Sequence, residues 1–281
     1  MILDLVYPEK SEISYKISKF PDGQQTIDLK NLDTPLIDKV VVIKSRLNSF
    51  RDLELIVCAK QALDNLDATS VRLYVPYFLG ARSDRQFQPG GSNYLKQVIC
   101  PIINAQKFSN VTVMDPHSDV LEACIEKYKK ISNFSIVKYA LSDLVTDGQN
   151  YKIGLISPDA GALKKIYDVA KHFAIENVTV ASKIRNVITG EIIRTEVPTM
   201  DLSEIEHFLI IDDICDGGRT FIELAKEVRK QTDKPIYLVV THGIFSNGFE
   251  ELKKHINGIF CTNSISDIEG QENYINQLNV F

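Results

Sequence analysis

A short stretch of the chain combines an acidic pair with a glycine-rich turn. The apolar run Phe208–Ile211 precedes two aspartates, then a turn of small residues and a predicted helix. Glycine permits tight turns, and the first N–H groups of a helix point outward, where they can meet a phosphate. Carboxylates repel phosphate but accept hydrogen bonds from sugar hydroxyls. The stretch therefore predicts a site for a ribose 5-phosphate moiety, at Asp212, Asp213, Asp216, Gly217, Gly218, Arg219 and Thr220. The alternative is a well-capped helix with an incidental acidic pair.

Two other strand ends carry groups suited to a metal ion. Asp159 lies in Ser-Pro-Asp-Ala-Gly before a predicted helix, where a lone aspartate is often only a cap. Asp115 and His117 follow an apolar run, and continued extension would place both side chains on one face. Mg²⁺ keeps water ligands and takes phosphate oxygens, so it needs few protein ligands. A structural histidine is the alternative for His117.

Two cationic segments also leave apolar strands. Lys183 and Arg185 are two residues apart and face the same way if the strand continues. The segment from Arg82 to Arg85 follows another strand and leads into a pair of glycines. Either segment alone could be a solvated charged loop, but both flank strand ends that also carry acidic groups.

The elements that must position these residues alternate along the chain, as in parallel α/β proteins. Continuously apolar runs predict strands covered on both faces, at Val40–Ile43, Val71–Phe78, Val111–Met114, Ile153–Ser157, Val178–Ala181, Phe208–Ile211, Ile236–Thr241 and Ile259–Thr262. Amphipathic stretches predict helices at Arg51–Leu66, Ser92–Ala105, Val120–Lys130, Ala162–Phe173, Thr220–Lys230 and Phe249–His255. The alternation pauses near 141–150, which predicts two domains, 1–145 and 146–281.

Composition limits the class of protein and its partners. The 281 residues are 44% hydrophobic and 25% charged, which is typical of globular domains. A net charge of -5 argues against nucleic-acid binding through a basic surface. The five cysteines form no CxxC pair, which favours buried thiols in a reducing compartment. We see no signal peptide and no apolar run long enough for a membrane span, and we therefore expect a cytoplasmic protein with no membrane partner.

Seven motifs in order make the chain resemble the phosphoribosyl pyrophosphate synthetases, or ribose-phosphate pyrophosphokinases. The resemblance extends from Phe20 to about Ile265. The motifs are Phe20-Pro-Asp22-Gly23, Ala81-Arg82-x-Asp84-Arg85 after Pro76-Tyr-Phe, Asp115-x-His117-Ser118, Ser157-Pro-Asp159-Ala-Gly161, Lys183-x-Arg185, the Asp212-Asp213 loop and Thr241-His242-Gly243.

The resemblance implies two tandem type I phosphoribosyltransferase-like domains, each a mainly parallel sheet flanked by helices. It implies transfer of pyrophosphate from Mg-ATP to the anomeric hydroxyl of ribose 5-phosphate, with AMP released. It assigns catalysis to Lys183 and Arg185, and Mg²⁺ binding to His117 and Asp159. It assigns ATP binding to Phe20, Asp22, Gly23, Gln24, Arg82, Ser83, Asp84 and His117, the first four from a neighbouring subunit of a homo-oligomer, a dimer or a hexamer.

The chain departs from the family at several of these motifs. Gln24 and Ser83 replace a usual glutamate and glutamine, and residues 86–92 replace a basic stretch, which puts the family's anion-sensing site and its hexamer in doubt. Gly217 and Arg219 change the phosphate loop, which either rearranges donors around the same monoester or admits a larger acceptor such as ADP-ribose. A phosphoribosyltransferase and a non-catalytic regulatory relative are the competing functions.

Overall fold

The structure, a computed structural model, describes residues 1–30, 36–145, 152–185 and 192–281. Packing divides the chain into two units, Met1–Ser132 with Val280–Phe281, and Asn133–Asn279. The sequence predicts the division after residue 145. The difference arises because the helix Phe134–Leu144 packs its apolar side chains into a hydrophobic cluster of the second unit.

The first unit contains a five-stranded parallel sheet and a separate hairpin. Its strands are β1 (Ile2–Asp4), β2 (Ser14–Lys19), β3 (Gln25–Lys30), β4 (Val40–Lys44), β5 (Ser70–Tyr74), β6 (Asn110–Met114) and β7 (Tyr128–Ile131). Its helices are α1 (Phe50–Asp64), α2 (Cys100–Ala105), which continues a π-helical segment at Leu95–Ile99, and α3 (Val120–Cys124). The sheet order is β1-β4-β5-β6-β7, and β2 pairs with β3 as an antiparallel hairpin.

One face of this sheet forms the core of the first unit. Alternate residues such as Val41, Val71 and Val111 join side chains of α1 and α2 in one hydrophobic cluster. Helix α1 begins with a capping box, in which the Ser49 side chain accepts from the Asp52 N–H and Asp52 accepts in return. The alternate residues on the opposite face of β5 and β6, such as Arg72, Tyr74 and Thr112, are mostly polar and line a groove. The prediction that these strands are covered by apolar packing on both faces is therefore wrong.

The second unit contains a six-stranded parallel sheet. Its helices are α4 (Phe134–Leu144), α5 (Leu163–Phe173), α6 (Arg219–Arg229) and α7 (Glu250–Lys253). Its strands are β8 (Ile153–Ser157), β9 (Val178–Val180), β10 (Ser182–Arg185), β11 (Ile192–Glu196), β12 (His207–Cys215), β13 (Ile236–Gly243), β14 (Gly258–Thr262) and β15 (Ile275–Leu278). The order is β15-β14-β13-β12-β8-β9, and β10 pairs with β11 as a hairpin.

This second sheet is packed on both faces, as parallel sheets usually are. One hydrophobic cluster includes Ile210 and Leu238 with residues of α6 and α7, and the other includes Ile211 and Val239 with residues of α4 and α5. Successive residues of β12 and β13 therefore alternate between the two clusters. The predicted α/β class with parallel sheets is confirmed.

Several predicted elements differ in extent. The predicted helix Val120–Lys130 is wrong beyond Cys124, because Tyr128–Ile131 pairs with β6 as an edge strand. The strand predicted to end at Ile211 continues to Cys215, since β13 pairs with it there. The sequence patterns predict neither helix α4 nor the two hairpins. No helix within the described ranges is long and apolar enough to cross a membrane.

Candidate functional site

The predicted phosphate loop joins β12 to α6. Gly218 is the N-cap residue of α6 and has a φ of 79°. Because glycine has no side chain, it cannot cap the helix with a side-chain hydrogen bond. The first N–H groups of α6 therefore lack a capping side chain and suit an anion. Ser246 Oγ donates to Asp216 Oδ1 at 2.6 Å, and Asn247 Nδ2 donates to the Gly217 carbonyl at 3.3 Å. The loop is thus held by the segment that follows β13.

The compactness of this loop explains its glycines. A Cβ on Gly217 would lie 2.7 Å from Asn247 Nδ2, and one on Gly218 would lie 3.0 Å from a methyl carbon of Leu252. Arg219 is exposed at the first position of α6, whereas Thr220 is half-buried. The structure therefore brings together four predicted residues, Asp216 to Arg219, in one backbone turn.

The acidic pair lies within β12 and its two members have different surroundings. Asp212 Oδ1 accepts from the N–H of Asp213 at 2.8 Å. Asp213 is 5% exposed, and its Oδ2 lies 3.7 Å from Lys165 Nζ of α5. Burial, with the charge and hydrogen bond of Asp213, raises the pKa of Asp212 well above its usual range. A protonated Asp212 can both donate to and accept from a sugar hydroxyl.

Asp159 and Lys183 form an ion pair in the second unit. Lys183 Nζ donates to Asp159 Oδ2 at 2.7 Å, while Asp159 Oδ1 accepts from the N–H groups of Gly161 and Ala162. Burial alone would raise the pKa of Asp159, but the hydrogen bond and charge of Lys183, with these two N–H groups, lower it below its usual value. Asp159 is therefore ionised and serves both as a helix cap and as the partner of Lys183.

The partner of Lys183 in the predicted cationic pair is Arg185. It ends β10, and the pairing with β11 shifts register between Ile184 and Arg185. The side chain of Arg185 lies outside the described part of the chain. Its predicted orientation beside Lys183 stays a prediction.

In the first unit, two predicted segments meet beside His117. Ser118 Oγ donates to Asp84 Oδ2 at 2.7 Å, and Asn93 Nδ2 donates to the Asp84 carbonyl at 2.9 Å. Arg82 and His117 are exposed, and Ser83 is half-buried. Asp115 has a φ of 40°, so β6 ends at Met114. The expectation that Asp115 and His117 share one face of a continuing strand is therefore wrong.

The other predicted nucleotide-binding residues form the turn between β2 and β3. The Phe20 N–H donates to the Gln24 carbonyl, and the Gly23 N–H donates to the Phe20 carbonyl, both at 2.9 Å. Gly23 has a φ of 98°, which this turn requires. Phe20 is 53% exposed and Asp22 is exposed beside it. An exposed aromatic ring at a hairpin tip suits contact with a ligand or another molecule.

Asp159 has some, but not all, of the properties expected of a magnesium ligand. It is an ionised carboxylate at a strand end, which is the oxygen donor that Mg²⁺ prefers. In this arrangement, however, both of its oxygens have protein partners, and Lys183 occupies the side that a cation would take. The described residues contain no group of three or more His, Cys, Asp or Glu side chains arranged to hold a metal. Phosphate oxygens and water would therefore supply most of the ligands.

Three contributors to the site were missed from the sequence. Lys165 faces Asp213, and Ser246 and Asn247 hold the phosphate loop. A signal for the last two existed, because Ser-Asn-Gly follows the Thr241-His242-Gly243 motif. Lys165 lies six residues after Asp159 on α5, and only the packing of α5 on the sheet shows its partner.

Comparisons with known proteins extend over most of the chain. The ribose-phosphate pyrophosphokinase of Marinomonas sp. (strain MWYL1) is 25% identical over 252 residues, which cover 85% of this chain and 74% of that protein. The ribose-phosphate pyrophosphokinase of Pyrococcus furiosus is 26% identical over 262 residues, which cover 92% of this chain and 88% of that protein. No protein-family model matches the chain.

A solved structure gives the same result for the fold. The crystal structure of phosphoribosylpyrophosphate synthetase from Mycobacterium smegmatis superposes with a TM-score of 0.80 at 14% identity, and covers 97% of this chain and 88% of that one. The resemblance indicated by the seven motifs is confirmed in sequence and in fold.

Proposed function

We propose that this chain, a relative of the ribose-phosphate pyrophosphokinases, is an enzyme of that type. It would transfer the β,γ-pyrophosphoryl group of Mg-ATP to the anomeric hydroxyl of a ribose 5-phosphate moiety and release AMP. The observation that carries the proposal is the turn between β12 and α6, where Asp216 and two glycines precede a helix start without a side-chain cap, and the acidic pair Asp212 and Asp213 lies near the end of β12. The similarity to pyrophosphokinases over most of the chain supports it.

The residues of the second unit would bind the sugar phosphate and stabilise the transferred group. The N–H groups at the start of α6 would bind the 5-phosphate, while Asp212 and Asp216 would bind the ribose hydroxyls. The anomeric oxygen would attack the β-phosphorus and lose its proton to solvent, while the bond from that phosphorus to the bridging oxygen breaks and AMP leaves with that oxygen and the bonding electrons. Lys183, released from Asp159, would stabilise negative charge on the transferring phosphates together with Arg185.

ATP and magnesium complete the proposal. The residues of the β2–β3 turn, with Arg82, Ser83 and Asp84, would bind ATP, and the resemblance assigns Mg²⁺ to His117 and Asp159. When bound, Mg²⁺ would neutralise phosphate charge. The cytoplasmic location and the homo-oligomer stay predictions.

One observation favours a larger acceptor. Arg219 is exposed and forms no ion pair or side-chain hydrogen bond with another described residue. A guanidinium at the phosphate end of the sugar site suits a second phosphoryl group. The same reaction on a nucleotide that carries ribose 5-phosphate, such as ADP-ribose, is therefore the second candidate.

The test is AMP release from Mg-ATP on addition of each sugar. We expect AMP and a pyrophosphorylated product of matching mass with ribose 5-phosphate or with ADP-ribose. The Asp212→Ala variant serves as the matched loss-of-function control, because alanine removes both oxygens that would bind the sugar hydroxyl. A protein that binds both substrates yet forms no AMP with either sugar would be a non-catalytic relative. Consumption of phosphoribosyl pyrophosphate with a free base, without ATP, would identify a phosphoribosyltransferase.

A further inference from the structure

The first sheet has a polar, cationic face that the proposed reaction does not use. Residues that alternate with the core positions of β4 to β7 line a groove of about 600 Å³. Its polar lining residues are Lys44, Ser70, Arg72, Tyr74, Ser109, Asn110, Thr112 and Lys129, and Val42 and Val280 add apolar surface. Parallel sheets are normally buried on both faces, as the second sheet is. This exposed face therefore requires an explanation other than core packing.

Within the described part of the chain, the three cations of the groove have no anionic partner. Lys44, Arg72 and Lys129 form no ion pair or side-chain hydrogen bond with another described residue. The neighbour of Lys44 on β1 is Asp4, but its Oδ1 accepts from the N–H groups of Val6 and Tyr7. Positive charge thus dominates this face of a chain whose net charge is -5.

Strand register fixes the spacing of these charges. Lys44, Tyr74, Thr112 and Lys129 form one row across four strands, so the two lysine Cα atoms are roughly 14 Å apart. Arg72 lies two residues before Tyr74 on β5, roughly 7 Å from that row. Long side chains from these positions can converge on a ligand with more than one anionic group.

We propose that this groove binds an organic polyphosphate of nucleotide size. The guanidinium of Arg72 and the two ammonium groups match separate phosphoryl groups. The volume lies in the range of small-molecule pockets, and Val42 and Val280 would contact the part without charge.

Two other occupants suit the face less well. An isologous contact with a second copy would bring like charges together. A nucleic acid needs many phosphate contacts, which an acidic chain with three cations in one groove does not provide.

The C-terminal residues border this groove and hold its shape. The Tyr74 hydroxyl donates to the Val280 carbonyl at 2.9 Å, and the ring of Phe281 packs edge-on against that of Tyr74 at 6.1 Å between centroids. Tyr74 is therefore held by protein contacts, and the charged groups of the ligand would bind to Lys44, Lys129 and Arg72.

Lysine acetylation followed by mass spectrometry tests the site on the intact chain. Lys129 and Lys130 are both exposed and adjacent on β7, but only Lys129 lines the groove. We expect millimolar ADP to slow acetylation of Lys129 severalfold and to leave Lys130 unchanged, whereas inorganic phosphate at the same ionic strength has little effect. Equal labelling of the two lysines with and without ADP would overturn the proposal, as would equal protection by inorganic phosphate.

A variant links the protection to the groove. Arg72→Gln should raise the ADP concentration needed to protect Lys129 by about tenfold, because a hydrogen bond to a charged group contributes about that factor. Arg51 is an exposed arginine on α1, outside the groove, and Arg51→Gln should leave the ADP concentration needed to protect Lys129 unchanged. An unaltered ADP dependence in Arg72→Gln would refute the site. Protection of Lys129 that rises with protein concentration and needs no ADP would instead identify a contact between copies and overturn it. None of these measurements requires turnover.

Discussion

Replacing Lys183 by alanine separates its role in charge stabilisation from its role in the fold. Its side chain is 12% exposed and donates to Asp159, whose side chain is 35% exposed. Loss of a residue that stabilises charge on transferring phosphates costs about 10³-fold in kcat. We therefore expect Lys183→Ala to release AMP about 10³-fold more slowly than the wild type at saturating substrate.

The loss of stability should be small by comparison. The pair is partly exposed, and Asp159 retains its hydrogen bonds from Gly161 and Ala162. The free energy of unfolding should fall by about 1–2 kcal/mol, between the values for exposed and buried pairs. Because the pKa of Asp159 is lowered in the folded state, the pair stabilises above the unfolded pKa of about 4 and this contribution is lost as pH falls through the folded value. The difference in the free energy of unfolding between variant and wild type should therefore be present at pH 7 and disappear at acidic pH.

The assay is AMP release with both substrates saturating, together with urea unfolding at neutral and acidic pH. Lys171→Ala, an exposed lysine at the end of α5, is the matched control and should retain wild-type turnover. Near-normal turnover in Lys183→Ala would remove Lys183 from the mechanism. A stability difference that grows as pH falls would refute the assigned ion pair.

Three further substitutions test the site and the fold. Lys165→Met removes the cation beside the buried Asp213, so KM for the sugar phosphate should rise about tenfold in steady-state assays; an unchanged KM would place Lys165 outside sugar binding. Gly218→Ala forces a φ of 79° on a residue with a Cβ close to Leu252, and urea unfolding should show a loss of about 1–3 kcal/mol with weaker sugar-phosphate binding; wild-type stability would argue against a left-handed residue at this turn. Ser49→Ala removes the capping box of α1 and should lower the free energy of unfolding by about 1 kcal/mol, whereas kcat stays constant; a fall in kcat would contradict a purely structural role.

The sequence alone determined the fold class and the places where polar groups gather. The apolar runs before Asp159 and Asp212 correctly marked β8 and β12, although β12 continues past the acidic pair to Cys215. In a parallel sheet the ends of such strands lie along one edge. Such inferences succeed because strand periodicity and glycine turns are local properties of the chain. The same local signals missed α4 and β7, whose packing depends on distant residues.

Only the tertiary structure decided which partner each charged group faces. Lys183 lies 24 positions from Asp159, and Lys165 meets Asp213 across two elements. The apolar run from Val71 predicted a strand covered on both faces, but in the structure only Val71 and Leu73 of β5 join the core, whereas Ser70, Arg72 and Tyr74 line the groove. The sequence does not tell which face of a sheet its helices cover. The cationic groove results from this one-sided packing. Side chains on the second face of the sheet stay partly exposed to water, while their neighbours along each strand form the core.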